Sequence, residues 1–385
     1  MMQPPKRDSI EEQPSPPSTD QSGSPSRRRF LGGTGAALGL LAVEAHCGGT
    51  ATASSNRVGV ASGADVEGAV RRAVEMAGGL TEIGPGKTVF IKPNAVYPAS
   101  TPGVTTSPAV LQAVVKLVKE RKPSYIVVGE RSARGFSTVE SLQTSGLTAA
   151  AMAGGADEVY AAMSPIEAPD QWQMLQPPHF EETWMPAGGI FALRRMMEAD
   201  VLISIPVLKD HRWAAYSMGM KIFIGGIGDS SRDILHYNLG GDSDRLARDI
   251  AILNQMFHPA MTIVDGWTAM INGGPQGMAS DGVFTTPRLI IAGRDRLAVD
   301  AMGASYLKLV LNHTLIPTPD EAHATLTAPG GPWSLPQLVH GAELGLGVSG
   351  PEQVNLQFDG VADQTALEEM YRLVPSVADA GARAG

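Results

Sequence analysis

Short, nearly uninterrupted apolar runs recur along this chain. They are Arg57-Val58-Gly59-Val60-Ala61, Thr88-Val89-Phe90-Ile91, Tyr125-Ile126-Val127-Val128-Gly129, Asp200 to Ile205, Met261 to Val264 and Leu289 to Ala292. Each is too short for a stable helix and lacks polar alternation, which is how a strand buried on both faces reads. Segments of helical period separate them. Val66 to Met76 places Val66, Ala69, Val70, Ala73 and Val74 on one face, and Ser107-Pro108 opens a helix running to about Glu120. A further helix is expected after Gly129 with its stop at Gly146, others over about 243–256 and 296–310, and one more strand at Asp157 to Tyr160. Strands alternating with helices predict an α/β fold, a mainly parallel sheet flanked by helices.

Polar residues cluster where these runs end. Lys92 and Asn94 follow Ile91, Glu130-Arg131-Ser132 follow Gly129, and Lys209 and His211 follow the strand that ends near Val207. Asp265 follows Val264, and Arg294-Asp295 follow Gly293. In open α/β sheets ligands bind beyond the carboxyl ends of the strands, so parallel neighbours would bring these groups to one edge. Lys92, Asn94, Lys221, Arg294 and Asp295 are the expected substrate-binding residues. Lys209, His211, His236 and Asp265 are the expected catalytic ones. Buried lysines are costly unless an anion compensates them, so they point either to an anionic ligand or to internal carboxylate partners. His211 and His236, with Asp265 and Asp300, suit proton transfer, a divalent metal, or hydrogen-bonded structural roles. The sequence contains no H-x-x-x-H or H-E-x-x-H spacing that would enforce a metal site.

Other patterns have structural readings beside the functional ones. The stretch Gly225-Gly226-Ile227-Gly228-Asp229-Ser230-Ser231 could wrap an anion with backbone N–H groups or form a flexible turn. Gly345-Leu346-Gly347-Val348-Ser349-Gly350 matches G-x-G-x-x-G, but it follows a helical stretch. It reads as a helix stop before the strand Val354 to Gln357. Residues 164–190, rich in Pro and aromatics, are expected to form a long loop or lid.

Several segments together resemble the domain-of-unknown-function 362 family over roughly residues 56–360. They are Ile91-Lys92-Pro93-Asn94, Val127-Val128-Gly129-Glu130, Ala199 to Ile203, Pro206-Val207-Leu208-Lys209-Asp210-His211, Met220-Lys221 and Arg232-x-x-x-His236. Val264-Asp265-Gly266, Gly273-Gly274-Pro275 with Gly277, and Ala292-Gly293-Arg294-Asp295 with Ala298-Val299-Asp300 continue the series. The resemblance implies a fold and a polar site; it supplies no established general activity. The family commonly reads Lys-Thr-His and Leu-Lys-Asn-Leu-Phe-Gly, whereas here Asp210 replaces the Thr and Ile222 the Asn. Some relatives carry cysteine-rich ferredoxin-like modules, which a chain with one cysteine cannot build.

Composition excludes several classes. Thirty Lys and Arg against 39 Asp and Glu give a net charge of −9, so no nucleic-acid footprint is expected. A single cysteine excludes an intrachain disulfide, a thiolate zinc site and a cysteine-ligated iron–sulfur cluster. Residues 1–25 are rich in Pro, Ser and Gln, and Arg27-Arg28-Arg29-Phe30-Leu31 then precedes a small-residue apolar run from Gly32 to Val43. This resembles a twin-arginine export signal. Its apolar run spans about 18 Å as a helix, too short for a bilayer core of about 30 Å. Ala51-Thr52-Ala53 offers a cleavage site, and Cys47-Gly48-Gly49 offers a lipidation site, the one route by which a membrane anchor is expected.

The expected organisation is therefore a leader and signal over 1–53, an α/β domain over 54–365 and a tail over 366–385. The expected function is an exported enzyme acting on a small anionic molecule. A periplasmic or lipid-anchored ligand-binding protein without turnover is the alternative.

Overall fold

The computed structural model describes residues 56–185, 188–237, 242–274 and 282–374, with the side chains of Ile234, His236 and Tyr237 left aside. The described residues fall within one unit, Thr50–Gly385. The leader, with Arg27, Arg28 and Cys47, lies outside them, as does the tail beyond Val374.

The strands are β1 (Arg57–Ser62), β2 (Thr88–Pro93), β3 (Tyr125–Glu130), β4 (Glu158–Ala161), β5 (Trp172–Leu175), β6 (Ile190–Leu193) and β7 (Val201–Ile205). They continue with β8 (Val207–His211), β9 (Ala215–Ser217), β10 (Met261–Asn272), β11 (Val283–Thr285), β12 (Leu289–Gly293) and β13 (Asn355–Asp359). The helices are α1 (Val66–Met76), α2 (Pro108–Glu120), α3 (Thr138–Thr144), α4 (Leu147–Gly154), α5 (Arg194–Met197) and α6 (Asp229–Tyr237). After them come α7 (Ser243–Asn254), α8 (Arg296–Leu311), α9 (Glu321–Thr327), α10 (Pro336–Glu343) and α11 (Gln364–Arg372).

The main sheet runs β13-β1-β12-β10-β7-β2-β3-β4, with β8 beside β10, β9 beside β8 and β11 beside β10. Its pairings are parallel from β10 through β7, β2 and β3 to β4, between β10 and β8, and between β1 and β13. β12 is antiparallel to both neighbours, β1 and β10. The fold is thus a mostly parallel mixed sheet flanked by helices.

The apolar runs have their cause in two cores, one on each face. Along β2, Phe90 joins one cluster while Val89 and Ile91 join the other. Along β3, Val127 opposes Ile126 and Val128 in the same way. The two-residue period of a strand sends successive side chains to opposite faces. With helices on both faces neither residue can be polar. Helices α1, α2 and α4 cover one face, and α7, α8, α10 and α11 the other.

Three expected boundaries change. Gly146 ends α3 as expected, with φ 77°, but α4 follows at once. Residues 164–190 are not a structureless loop, for β5 pairs antiparallel with β6 in a separate small sheet. Trp172 is buried there while Trp184 lies over Arg245, its ring centroid 5.3 Å from the guanidinium carbon. The domain also runs past 365. α11 packs on α8 and buries Leu367 and Tyr371, because its apolar residues share one face of a helix that begins at Gln364.

Candidate functional site

The carboxyl ends of β2, β3 and β8 converge on a cavity of about 440 Å³. Lys92 and Asn94 reach its wall from β2, Glu130 and Arg131 from β3, and His211 from β8. Lys221 and Gly225 come from the turn after β9, and Arg232 from α6. No described residue of the expected lid, 164–190, is part of this lining.

Lys92 is buried with its Nζ 2.6 Å from Glu130 Oε1. Glu130 also accepts from the backbone N–H groups of Ala95 at 3.0 Å and Arg131 at 2.9 Å, so its charge is held by three donors. Burial nevertheless pushes the Lys92 ammonium below its ordinary pKa, more than the pairing with Glu130 restores. The close approach needs a glycine opposite: a Cβ on Gly225 would stand 2.3 Å from Glu130 Oε1 and 2.5 Å from Lys92 Nζ. Of the glycine-rich stretch 225–231 expected to wrap an anion or form a flexible turn, Asp229 to Ser231 open α6, and Gly225 and Gly226 end a short 3₁₀ helix, Ile222–Gly226, that packs on this ion pair.

Lys221 immediately precedes that helix. It is 6% exposed, and burial followed by repulsion from Lys209 and Arg232 lowers its pKa to about 7. Its backbone is fixed from behind. Asp300 on α8 accepts from Gly219 N at 2.7 Å and Met220 N at 2.8 Å, and Asn254 Nδ2 donates to Met220 O at 2.6 Å. Asp300 is therefore an anchor of this turn. Its carboxyl is raised to about 7 chiefly by burial, against the lowering effect of those two backbone bonds.

Lys209 and His211 belong to β8 itself and do not follow it, and their spacing of two puts both on one side of the strand. Lys209 Nζ donates to Val104 O at 2.9 Å and to Asn94 Oδ1 at 3.5 Å, and burial lowers its pKa to about 8. His211 Nδ1 accepts from the N–H groups of Trp213 and Ala214, each at 3.3 Å. The neutral ring therefore carries its proton on Nε2. Asp210, between them, receives Gly274 N on both carboxyl oxygens at 3.1 Å. Burial and hydrogen bonding to Asp320 raise it to about 8. The Asp that stands in place of the family's Thr holds the turn at the end of β10 by accepting from Gly274 N.

Other expected site residues lie elsewhere or do other work. Asp265 is at the correct edge but outside the cavity lining. Its oxygens accept from Ser107 N at 2.6 Å and Trp267 N at 2.9 Å, which ties β10 to the start of α2. Burial raises its pKa to about 6 against the pull of those bonds. Arg294 and Asp295 are at the opposite edge, because β12 runs antiparallel and Gly293 pairs with Thr262 at the beginning of β10. Arg294 pairs with Glu82 and donates to Gly79 O at 2.8 Å. Asp295 caps α8, accepting from Leu297 N and Ala298 N, and also accepts from Val348 N at 2.7 Å. The backbone of His236 lies in α6, and its side chain is outside the described residues.

His211, Asp265 and Asp300 do not form a metal-ligand cluster. Among the described residues the one grouping with suitable spacing is His179, Glu181 and Glu182 in the 164–190 segment, two of them exposed. Glu182 there already pairs with Arg248 and with His179.

The cavity also recruits Arg131, Arg134, Arg212 and Arg232, which the strand-end reading did not assign to binding. Arg131 pairs with Asp229 at 2.8 Å, Arg134 pairs with Asp233, and Arg232 donates to the carbonyls of Ile227, Ser132 and Arg131. Arg131 could have been found, since it follows β3 directly. Arg232 lay in a quoted motif, but nothing in its spacing showed that α6 would turn it toward β3. Among the described lining residues Lys92, Arg131, Arg134, Arg212, Lys221 and Arg232 face two carboxylates, Glu130 and Asp233. Such an excess favours an anion, and Val96, Phe136, Trp213, Ile222 and Ile224 add an apolar wall beside it.

Fold and site together define an α/β protein with a cationic cavity at the carboxyl ends of its parallel strands. The chain belongs to the DUF362 family, a domain of unknown function, whose profile matches residues 89–305. It is similar to a thylakoid-associated protein of Synechocystis sp., with 28% identity over 256 residues, 62% of this chain and 69% of that protein. It is more distantly similar to the lactate racemase apoprotein of Thermoanaerobacterium thermosaccharolyticum, at TM-score 0.37 and 16% identity over 54% of this chain. A Thermotoga maritima protein gives TM-score 0.40 and 12% identity over 63%. The chain spans 50% and 57% of the lengths of those two solved structures. No helix among the described residues is long and apolar enough to cross a membrane.

Proposed function

We propose that this chain is an exported enzyme that binds a small organic anion in the cavity at the ends of β2, β3 and β8 and moves a proton on it. The observation that carries the reading is the charge of the lining: among the described residues six cations face two carboxylates, with Lys92, Arg131 and Arg134 paired to Glu130, Asp229 and Asp233, around a site of small-molecule size. Lys221, near pH 7 in its proton affinity, supplies both a charged form to bind an anion and a neutral form to accept a proton. His211, with Nδ1 engaged by two backbone N–H groups, acts as a neutral donor from Nε2 and not as a base. Asn94, at the same wall, offers a neutral amide to the ligand. Lys209 and Asp265 support these groups from behind the wall. The export signal, its cleavage after Ala53 or acylation at Cys47, and passage through the twin-arginine machinery belong to the same proposal and rest on the leader sequence.

Calorimetric titration with isocaproate and with its uncharged amide at pH 6 tests the binding claim. Carboxylate binding at least tenfold tighter than amide binding is expected. Equal affinities, or no binding of either, would reject the anion site. For export, substitution of Arg27 and Arg28 by Lys should leave the chain inside a bacterial host. An exported product with an unchanged N-terminus after that substitution rejects the signal.

A further inference from the structure

The cavity at the ends of β2, β3 and β8 has a neighbour. An open groove of about 850 Å³ lies between the loop after β3, the segment after β4 and the start of α6. Arg131, Arg134, Phe136 and Asp233 line both spaces, so the two meet along a shared rim. Phe136, Val139, Met163 and Ile166, large apolar side chains that the fold leaves exposed, gather in this groove. Apolar side chains grouped in this way on a surface mark a place that a ligand or partner covers.

Hydrogen bonds fix the walls. Thr138 Oγ1 donates to Ala162 O at 2.9 Å and so ties the start of α3 to the segment after β4. The Met163 N–H donates to Gln171 Oε1 at 2.8 Å, and its carbonyl accepts from Trp172 Nε1 at 3.0 Å. Ser164 and Glu167 close the turn that carries Ile166, the Ser164 hydroxyl and N–H both donating to Glu167 Oε2, at 2.7 and 3.1 Å. Met163 and Ile166 are thus held toward water by bonded backbone, an unfavourable exposure that an apolar ligand relieves.

Charge distinguishes the two spaces. Among the described lining residues the cavity sets six cations against two carboxylates, whereas in the groove Arg131 and Arg134 face Asp229, Asp233 and Glu167. An anion is favoured in the first and disfavoured in the second. The Arg134–Asp233 pair stands at the rim with its arginine exposed, and an exposed ion pair opens readily.

We propose that the ligand is an amphiphilic carboxylate, with its head in the cationic cavity and a hydrocarbon chain that crosses the rim into the groove. The inference rests on the anion-binding reading and deepens it by naming the substrate class, a fatty-acid-like anion. Phe136, which faces both spaces, links Ile222 and Ile224 in the cavity wall to Val139, Met163 and Ile166 in the groove.

Calorimetric titration of the full chain at pH 7 with hexanoate and decanoate, below their micelle concentrations, tests the proposal. Isocaproate and its amide are titrated in parallel. Decanoate should bind about 30- to 200-fold tighter than hexanoate, from partial or full burial of the extra methylenes at up to about fourfold each. Ile166→Asp and Met163→Asp, both at exposed positions, should bring the two affinities within about threefold of each other. Equal affinities in the parent, with isocaproate still preferred to its amide, overturn the tail groove and leave the anion site standing. A chain-length gain that survives both substitutions puts the tail elsewhere and overturns the groove equally. Sedimentation with phosphatidylglycerol vesicles that Ile166→Asp abolishes, without a chain-length gain in solution, assigns the groove to a membrane surface and also overturns the proposal. Equal binding of isocaproate and its amide, or no binding of either, overturns both readings.

Discussion

The two ends of the sheet carry similar residues and use them differently. Beyond β2, β3 and β8, lysines, arginines and a histidine surround a cavity, and several of their charged groups face its interior. At the far end of β12, Arg294 and Asp295 are equally polar and equally placed after a strand. The bonds seen there close on the protein's own backbone, on Glu82 or on the Thr81 hydroxyl. One set is arranged around a space and the other around the chain. Polarity at a strand end therefore marks a place where backbone groups need partners. Strand direction decides whether it also marks a site.

Substitutions can break this contrast. The largest expected effect is Glu130→Gln, which leaves Lys92 buried without its carboxylate. Removing one partner of a buried pair costs about 3–5 kcal/mol, so chemical denaturation should show a loss of that order. A loss below ~1 kcal/mol would mean that the pair is solvated in solution.

Next comes Lys221→Met, which removes a lysine whose burial is unfavourable. Anion affinity should fall roughly 10- to 100-fold, the value of a charge-assisted hydrogen bond of about 1.5–3 kcal/mol. The melting temperature should hold or rise, because the desolvation cost disappears. A fall in melting temperature with affinity retained would make Lys221 structural.

The third expectation is a pH dependence. Lys221 is protonated below about 7, so isocaproate affinity should be highest there and decline as pH rises through that value. Lys209, with its pKa at about 8, extends the decline. Lys221→Arg should remove the break near 7, because a guanidinium stays charged. A flat profile in the parent between pH 6 and 9 would show that neither lysine contributes charge to binding.

The smallest effect is expected at the opposite edge. Asp295→Ala removes a helix cap and should cost about 1 kcal/mol. Anion affinity should remain unchanged in both Asp295→Ala and Arg294→Ala. A tenfold loss of affinity in either would join the two edges into one functional unit.

Much of the fold was readable along the chain. The runs at 57–61, 88–91, 125–129, 200–205 and 289–292 became β1, β2, β3, β7 and β12 with ends displaced by a residue or two, because burial on both faces leaves a local signature. β10 extends to Asn272, well past the predicted end at Val264. Its polar Asp265 and Gly266 looked like a terminus, yet β8 and β12 pair with it across that point. The small sheet of β5 and β6 has no local signature because its strands are four residues each and lie in a Pro-rich segment without clear periodicity.

The site was legible in its residue types and less so in their roles. Lys92, Asn94, His211 and Lys221 do meet at one cavity, since parallel strands carry their following residues to the same edge. Arg232 and Arg134 depend on how α6 and the loop after β3 return to the sheet, contacts separated by about a hundred positions.

The sequence by itself determined the α/β class, the absence of thiol chemistry in the body and the set of polar groups available for a site. These follow from local period and composition. Only the tertiary structure decided that β12 runs backward and takes Arg294 and Asp295 away. It also decided that Glu130 neutralises Lys92 and that Lys221 stands near two other cations. Strand direction and charge pairing depend on which distant segments become neighbours, and a charge acts through distance in space and not through separation along the chain.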